Sequence, residues 1–241
     1  MKLNGKKVLV TGGARRIGAE LVKGLAEQGA ILYVHCFNGA AQGRELLSQL
    51  PGSGHRLLTA DLSRSGAAEK MLKECGEIDV LVNNASIYAR TPIDIEESEA
   101  RRYFEVNFWS PLALMRAFAA SCENKEAVAV NILDQEILRP AAENGIYAIS
   151  RKALADATLA FALEYAPRGL RFNAIAPGPM IPPPGLEHST MSKVLKSVPS
   201  GKRIEPEDMV KTLLYIIDND SLTGAIIPLD GGQHLKNYEY L

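Results

Sequence analysis

The sequence predicts an α/β fold: a single domain built on a doubly wound sheet of about seven parallel strands, with helices on both faces. Three observations predict it. Short aliphatic runs recur along the chain, segments with helical spacing separate them, and the runs lack strict alternation of apolar and polar residues. Strands of that last kind are buried on both faces, as in a parallel sheet.

The first run, KKVLVTG (6–12), is β-branched and closes on glycine; IGAELVKGLAEQG (17–29) follows with an apolar residue every three or four positions. ILYVHCF (31–37), HRLLTAD (55–61) and DVLVNNA (79–85) supply the next three strands, and AVAVNIL (127–133), LRFNAIAP (170–177) and AIIPLDG (225–231) the last three. Between the fifth and sixth runs, YAISRKALADATLAFALEYA (147–166) reads as one long helix. The proline-rich PGPMIPPPG (177–185) is followed by further helix and a last strand, so it reads as a loop inside the domain rather than a linker. Residues 178–203 have weak periodicity, and a loop of that length is expected to act as a substrate lid.

Composition narrows the function. A chain of 241 residues with 46% hydrophobic content can bury a sizeable core. Its 27 basic and 28 acidic residues leave no general field for nucleic acid or an anionic membrane, so any anion site must be local. Cys36, Cys75 and Cys122 fit neither a zinc spacing nor a disulfide framework, and no metal site is expected. No stretch approaches a membrane span, and the N-terminal apolar run is too short for a signal peptide. The expectation is a soluble, cytoplasmic protein.

VTGGARRIG places a glycine-rich turn where a strand meets a helix N-terminus, whose free N–H groups and dipole favour a pyrophosphate. A glycine turn can also serve only to pack helix on strand. The second strand bears on the choice, because it ends VHCFNGAA without the acid that holds a ribose 2′-hydroxyl, while Arg15 and Arg16 stand in the turn. Two cations and no opposing carboxylate suit a 2′-phosphate, so NADP is expected over NAD. Gly12, Arg15, Arg16, Ile17, Gly18 and Asn38 are the candidate contacts.

These motifs resemble the short-chain dehydrogenase/reductase family along nearly the whole chain. TGGARRIG is similar to that family's Thr-Gly-x-x-x-Gly-x-Gly turn, with Arg16 at a place normally small, as in pteridine reductases and dihydromonapterin reductases. The resemblance implies a Rossmann-type fold. It also implies that Asp61 and Leu62 contact adenine, that Asn83, Asn84 and Ala85 of NNAS lie by the cofactor ribose, and that Pro177 and Gly178 lie by the nicotinamide. Asp61 can alternatively cap the helix that follows it.

The family's chemistry rests on a tyrosine, a lysine four residues on, a serine thirteen residues before the tyrosine, and an asparagine further upstream. Tyr147 and Asn107 match two of these roles; Asp134 stands at the serine position, as in the pteridine reductases, and Arg151 at the lysine position, unlike either pattern. Four residues of helix carry Arg151 to about 40° beyond one turn from Tyr147, whereas Lys152 points roughly 140° away. A cation about 4 Å from the phenol is worth on the order of 4 kcal/mol at an effective dielectric near 20, enough to hold Tyr147 roughly three units below its ordinary pKa. Guanidinium cannot relay a proton, so Tyr147 would be recharged from water or from Asp134. Asp134 could instead pair with Arg151. A working site of altered efficiency is expected, with an NADPH-binding protein that does not turn over as the alternative.

The resemblance further implies a pterin stacked by Tyr88, two places after Ser86, with Ser86 as a second substrate contact and a C=N bond as the group reduced. A carbonyl reductase, for instance of a 3-oxoacyl thioester, is the other enzymatic reading. The alanine-rich helix 147–166 permits close helix pairing, so a homodimer or homotetramer is expected.

Overall fold

The computed structural model describes residues 1–89, 91–122, 126–139, 144–180 and 195–238. Seven parallel strands form one sheet in the order β3-β2-β1-β4-β5-β6-β7. They are β1 (Lys7–Val10), β2 (Ile31–Cys36), β3 (Arg56–Thr59), β4 (Val80–Asn83), β5 (Ala127–Ile132), β6 (Leu170–Pro177) and β7 (Ile226–Leu229). The order reverses between β1 and β4, which pair through Val8↔Val80, Leu9↔Leu81 and Val10↔Val82. Ligands in open parallel sheets bind at such a switch point, beyond the carboxyl ends of the strands.

Among the described residues, seven α-helices cover the sheet: α1 (Arg16–Glu27), α2 (Ala40–Gln49), α3 (Ala67–Cys75), α4 (Glu97–Phe104), α5 (Ser110–Ser121), α6 (Gly145–Tyr165) and α7 (Pro206–Asp218). Strand side chains alternate between two cores. Val8, Val10, Val34, Val80, Val82 and Val130 pack with Leu21, Leu25, Leu46 and Leu213 of α1, α2 and α7. Leu9, Leu81, Ala129 and Phe172 pack on the other face with Leu72, Leu114, Phe118 and Leu154 of α3, α5 and α6. Each fully buried Val, Leu or Phe contributes about 1.5–3 kcal/mol, so a strand apolar on both faces is anchored twice. This is why the runs show no alternation.

Several strands end sooner than the apolar runs. The run 6–12 pairs only over 7–10, 55–61 over 56–59, and 79–85 over 80–83. The residues left over, at the carboxyl ends of β1, β3 and β4, leave the ladder to build the cleft described below. Helix α6 starts two residues before Tyr147, which puts that tyrosine in its first turn. Its unpaired N–H groups there are met by one residue: Tyr147 N donates to Thr91 Oγ1 at 3.1 Å, and Ile146 N to the Thr91 carbonyl at 3.2 Å.

Helices α4 and α5 join through a π turn, Glu105–Trp109, which contains Asn107. Pro111 has no N–H for the carbonyl four residues earlier, and its ring crowds that carbonyl, so the helix widens there.

Of the expected lid, 178–203, residues 181–194 lie outside the described residues. Its described end is fastened: Ser200 N donates to Gly231 O at 3.1 Å, and Gln233 Nε2 to Ser197 Oγ at 2.8 Å.

Candidate active site

The glycine turn between β1 and α1 is held from both sides. Thr11 Oγ1 accepts the N–H groups of Asn84 (2.9 Å) and Ala85 (3.0 Å), and Asn84 Nδ2 donates to the carbonyls of Thr11 (2.9 Å) and Gly12 (3.1 Å). From β2, buried His35 accepts Gly12 N–H on Nδ1 at 3.2 Å, and its carbonyl accepts Gly13 N–H at 2.9 Å. With Nδ1 an acceptor, the ring proton sits on Nε2 and is donated to Ala60 O at 3.1 Å. Burial pushes the His35 pKa down, which keeps that neutral form.

Beyond the turn opens a cleft of about 420 Å³, lined by Gly12, Arg15, Arg16, Ile17, Gly18, Asn38, Asp61, Leu62, Asn84, Ala85 and Ser86, and also by His35, Phe37 and Arg102. Asp61 is the one acid among these lining residues, against Arg15, Arg16 and Arg102. Its carboxylate is already engaged by Ser63 Oγ (2.7 Å), Ser63 N (3.0 Å) and Arg64 Nε (3.4 Å), and the Ser63 hydroxyl holds its pKa below the usual range. It caps a turn at 61–64 rather than helix α3, which starts at Ala67. A side chain at Gly18 would place its Cβ 2.1 Å from the Gly12 carbonyl oxygen, so only glycine lets α1 begin this close to the turn. Arg16 has φ +53°, a left-handed conformation that favours glycine.

The second half of the site gathers on α6 and the segment after β5. Tyr147 Oη donates to Asp134 Oδ2 at 2.9 Å, and Asp134 Oδ1 accepts the N–H of Glu136 at 2.9 Å. Burial first, and then the Glu136 charge, push Asp134 up to about 6, against the Glu136 N–H, Tyr147 and Arg151. Arg151 is 2% exposed, and its Nε and Nη1 are buried without a hydrogen-bond partner. Lys152 is committed elsewhere, with Nζ on Arg139 O at 2.7 Å.

The Tyr147 pKa corrects one expectation. It is raised well above the ordinary tyrosine value, because burial and the neighbouring Asp134 outweigh the guanidinium of Arg151. Desolvation disfavours the charged phenolate, and the attraction of a nearby cation alone does not include it. Nor does Asp134 pair with Arg151; its two oxygens are taken by Tyr147 and the Glu136 main chain.

Tyr88 is 51% exposed and stands edge-on to Tyr147, ring centres 4.9 Å apart. Asn107, fully buried, accepts from Ile87 N (3.0 Å) and Ser86 Oγ (3.2 Å) and donates to Ile87 O (3.1 Å) and Ser150 Oγ (3.3 Å). Its amide therefore anchors the loop that carries Ser86 and Tyr88 to α6.

A family model described as enoyl-(acyl carrier protein) reductase matches residues 12–234. An alternative dihydrofolate reductase 1, FolM, from Brucella suis, solved in complex with NADP, is 33% identical, with a TM-score of 0.89 over 98% of this chain and 97% of that one. A short-chain dehydrogenase/reductase of Serratia marcescens is 25% identical, with a TM-score of 0.88 over 97% and 100% of the two chains. The chain belongs to the short-chain dehydrogenase/reductase family. Among curated relatives of this short-chain dehydrogenase/reductase, L-xylulose reductase of Bos taurus is 29% identical over 96% of this chain and 98% of its own.

Within this family frame, Asn83 needs correction. It is 2% exposed and donates to Asn131 Oδ1 at 2.8 Å, and Asn131 Nδ2 donates to Thr158 Oγ1 at 2.7 Å. Strand alternation turns Asn83 into the core beneath α6, one residue short of the cleft that Asn84 lines. Pro177 ends β6 and Gly178 N–H bonds Leu229 O at 2.9 Å; neither lines the 420 Å³ cleft. A Cβ at Gly178 would fall 2.8 Å from Asp230 Cα, so glycine there allows the ends of β6 and β7 to meet. His35, Thr91, Arg102, Glu136 and Asn144 were missed from sequence. For His35, the only local signal is a lone polar residue inside an apolar run; Thr91 has none.

The residues present fit a dinucleotide. The turn leaves a helix N-terminus open to a pyrophosphate, and the buried, unpartnered nitrogens of Arg151 are donors that a ligand's oxygens could meet.

Proposed function

We propose that the protein is an NADPH-dependent reductase acting on a flat conjugated C=N bond, of the kind a dihydropterin carries. The observation that carries this reading is the 2.9 Å hydrogen bond from Tyr147 to an aspartic acid whose pKa is pushed up to about 6. An acid poised near neutrality beside a phenol can deliver a proton to a ring nitrogen.

Arg15, Arg16 and Asn38 hold the 2′-phosphate, the N–H groups of residues 16–18 receive the pyrophosphate, and Asp61 and Leu62 flank the adenine. Arg151 donates to the ribose hydroxyls. NADPH, when bound, supplies the hydride. Ser86 and Tyr88 orient the substrate, with Tyr88 offering an exposed aromatic face beside the proton donor. Asp134 holds the proton that Tyr147 passes on, because guanidinium cannot relay one. The likeness to the Brucella alternative dihydrofolate reductase, which was solved with NADP, supports both the cofactor and the substrate class.

The test is NADPH oxidation with 7,8-dihydropterins beside a panel of ketones and ketoses. Turnover of dihydropterin is the expected result; turnover of ketones alone would assign the site to carbonyl reduction, which the match to L-xylulose reductase favours. Failure of both would leave a cofactor-binding protein without turnover.

Self-association belongs to the same reading. Ile149, Leu159 and Leu163 of α6 are 44%, 42% and 83% exposed, and Trp109, just before α5, is 51% exposed. Apolar residues at this spacing suit a second copy of the chain packed across α6, giving a dimer or tetramer. Light scattering that returns a monomer would remove it.

A further inference from the structure

One carboxylate beside the proton donor has no part in the reading above. Glu136 lies in the short 3-10 turn Gln135–Leu138, and its side chain is 13% exposed. Its Oε1 accepts from Asn144 Nδ2 at 2.9 Å and lies 3.5 Å from Arg139 Nη2, while Oε2 is buried without a hydrogen-bond partner. A carboxylate this enclosed, with one oxygen unsatisfied, carries its charge in a low-dielectric setting and is offset in part by Arg139.

The contacts around it close into a ring. Glu136 N–H donates to Asp134 Oδ1 (2.9 Å), Asp134 Oδ2 accepts from Tyr147 Oη (2.9 Å), and the Tyr147 ring meets the Tyr88 ring at 4.9 Å. Tyr88 Oη is 3.5 Å from Asn144 Nδ2, which returns to Glu136. One acid therefore touches both arms of the site, the proton donor through its main chain and the stacking tyrosine through Asn144.

We propose that Glu136 is a positioning residue: its carboxylate fixes Asn144 and Tyr88, and its negative charge opposes the pull of Arg151 on the Asp134 proton. The proposal rests on the reading of Asp134 and Tyr147 as the proton-donating pair. Among the described residues, the charged or titratable groups facing Asp134 are Glu136 from its own segment and Tyr147 and Arg151 from α6. Arg151 favours the ionised carboxylate, and Glu136 opposes it. Burial is the larger cause that keeps the proton on Asp134, and the Glu136 charge adds to it against the Arg151 cation.

Glu136→Gln removes the charge and retains an acceptor for Asn144. The direct readout is an infrared titration of the protonated carboxyl stretch of Asp134 in the NADPH-bound protein, assigned by its loss in Asp134→Asn. The Asp134 midpoint is expected to fall by about half to one pH unit in Glu136→Gln. The alkaline limb of kcat/KM, measured on whichever of dihydropterin or ketone is turned over, is expected to move with it. Glu136→Asp keeps the charge and breaks the reach to Asn144, so it is expected to hold the midpoint and raise KM. A merely structural role would scale the rate without moving the limb. An unchanged midpoint in Glu136→Gln overturns the proposal. Absence of any Asp134 titration between pH 4 and 8 overturns the donor reading beneath it, whereas turnover of ketones alone removes the pterin and leaves the role of Glu136 standing.

Discussion

Tyr147 Oη donates a hydrogen bond to Asp134 Oδ2 across 2.9 Å, while Arg151, one turn further along the same helix, leaves Nε and Nη1 buried and unbonded. The cation is thus held by packing and by the nearby Asp134 and Tyr147 rather than by hydrogen bonds from Nε and Nη1. Burying an uncompensated charge costs stability, and that cost is returned only when a ligand supplies acceptors.

Arg151→Met is therefore expected to stabilise the cofactor-free protein and to cripple it as an enzyme. At pH 5, where Asp134 is mostly protonated and offers little countercharge, calorimetry should show a gain of about 1–3 kcal/mol, raising Tm by roughly 2–4 °C per kcal/mol. The same variant should lose about 10²-fold or more in kcat, because a preorganised donor to the bound cofactor is gone. Arg151→Lys should keep most of the activity. If lysine instead creates turnover where the natural chain has none, Arg151 marks a protein that only binds cofactor.

The Asp134 carboxyl has a folded pKa of about 6, above the ordinary value near 3.9, so the folded state holds the proton more tightly than the unfolded one. Its contribution to stability is present below pH 4 and is lost as pH rises through 6, an amount of roughly 3 kcal/mol. Asp134→Asn should flatten that part of the stability profile in urea titrations at pH 4 to 7.5. It should also remove the fall in kcat/KM above pH 6 while lowering the rate about 10²- to 10⁴-fold.

His35 acts in the opposite direction. Its pKa is lowered by burial, so its contribution is present above pH 6.5 and is lost as pH falls through the folded value. His35→Phe strands the Gly12 N–H and the Ala60 carbonyl and is expected to cost about 2–4 kcal/mol at pH 7.5, less at pH 5. Because Gly12 begins the turn proposed to receive the pyrophosphate, NADPH binding, followed by fluorescence, should weaken with it. Equal losses at both pH values would contradict a neutral histidine acting as the brace.

Arg16 combines a left-handed backbone with a place in the 420 Å³ cleft. Arg16→Gly is expected to raise stability by about 1 kcal/mol through relief of that conformation. It should weaken NADPH at least several-fold and leave NADH nearly unchanged, since only the former carries the 2′-phosphate. Equal weakening of both cofactors would place Arg16 on the pyrophosphate instead.

What the chain determined by itself is what depends on neighbours in sequence: the doubly apolar strands, the glycine turn at a helix start, the second strand without an acid, and the four-residue step from Tyr147 to Arg151. Those features follow from periodicity and local backbone preference, which a linear sequence displays. Tertiary structure alone decided which side of the sheet Asn83 faces, that His35 reaches back to Gly12 from β2, and that Glu136 and Asn144 join Asp134 to Tyr88. It also reversed the expected shift of Tyr147. Coulomb attraction can be guessed from spacing on a helix, but desolvation depends on how completely distant segments close over a group, and here that closure outweighs the cation.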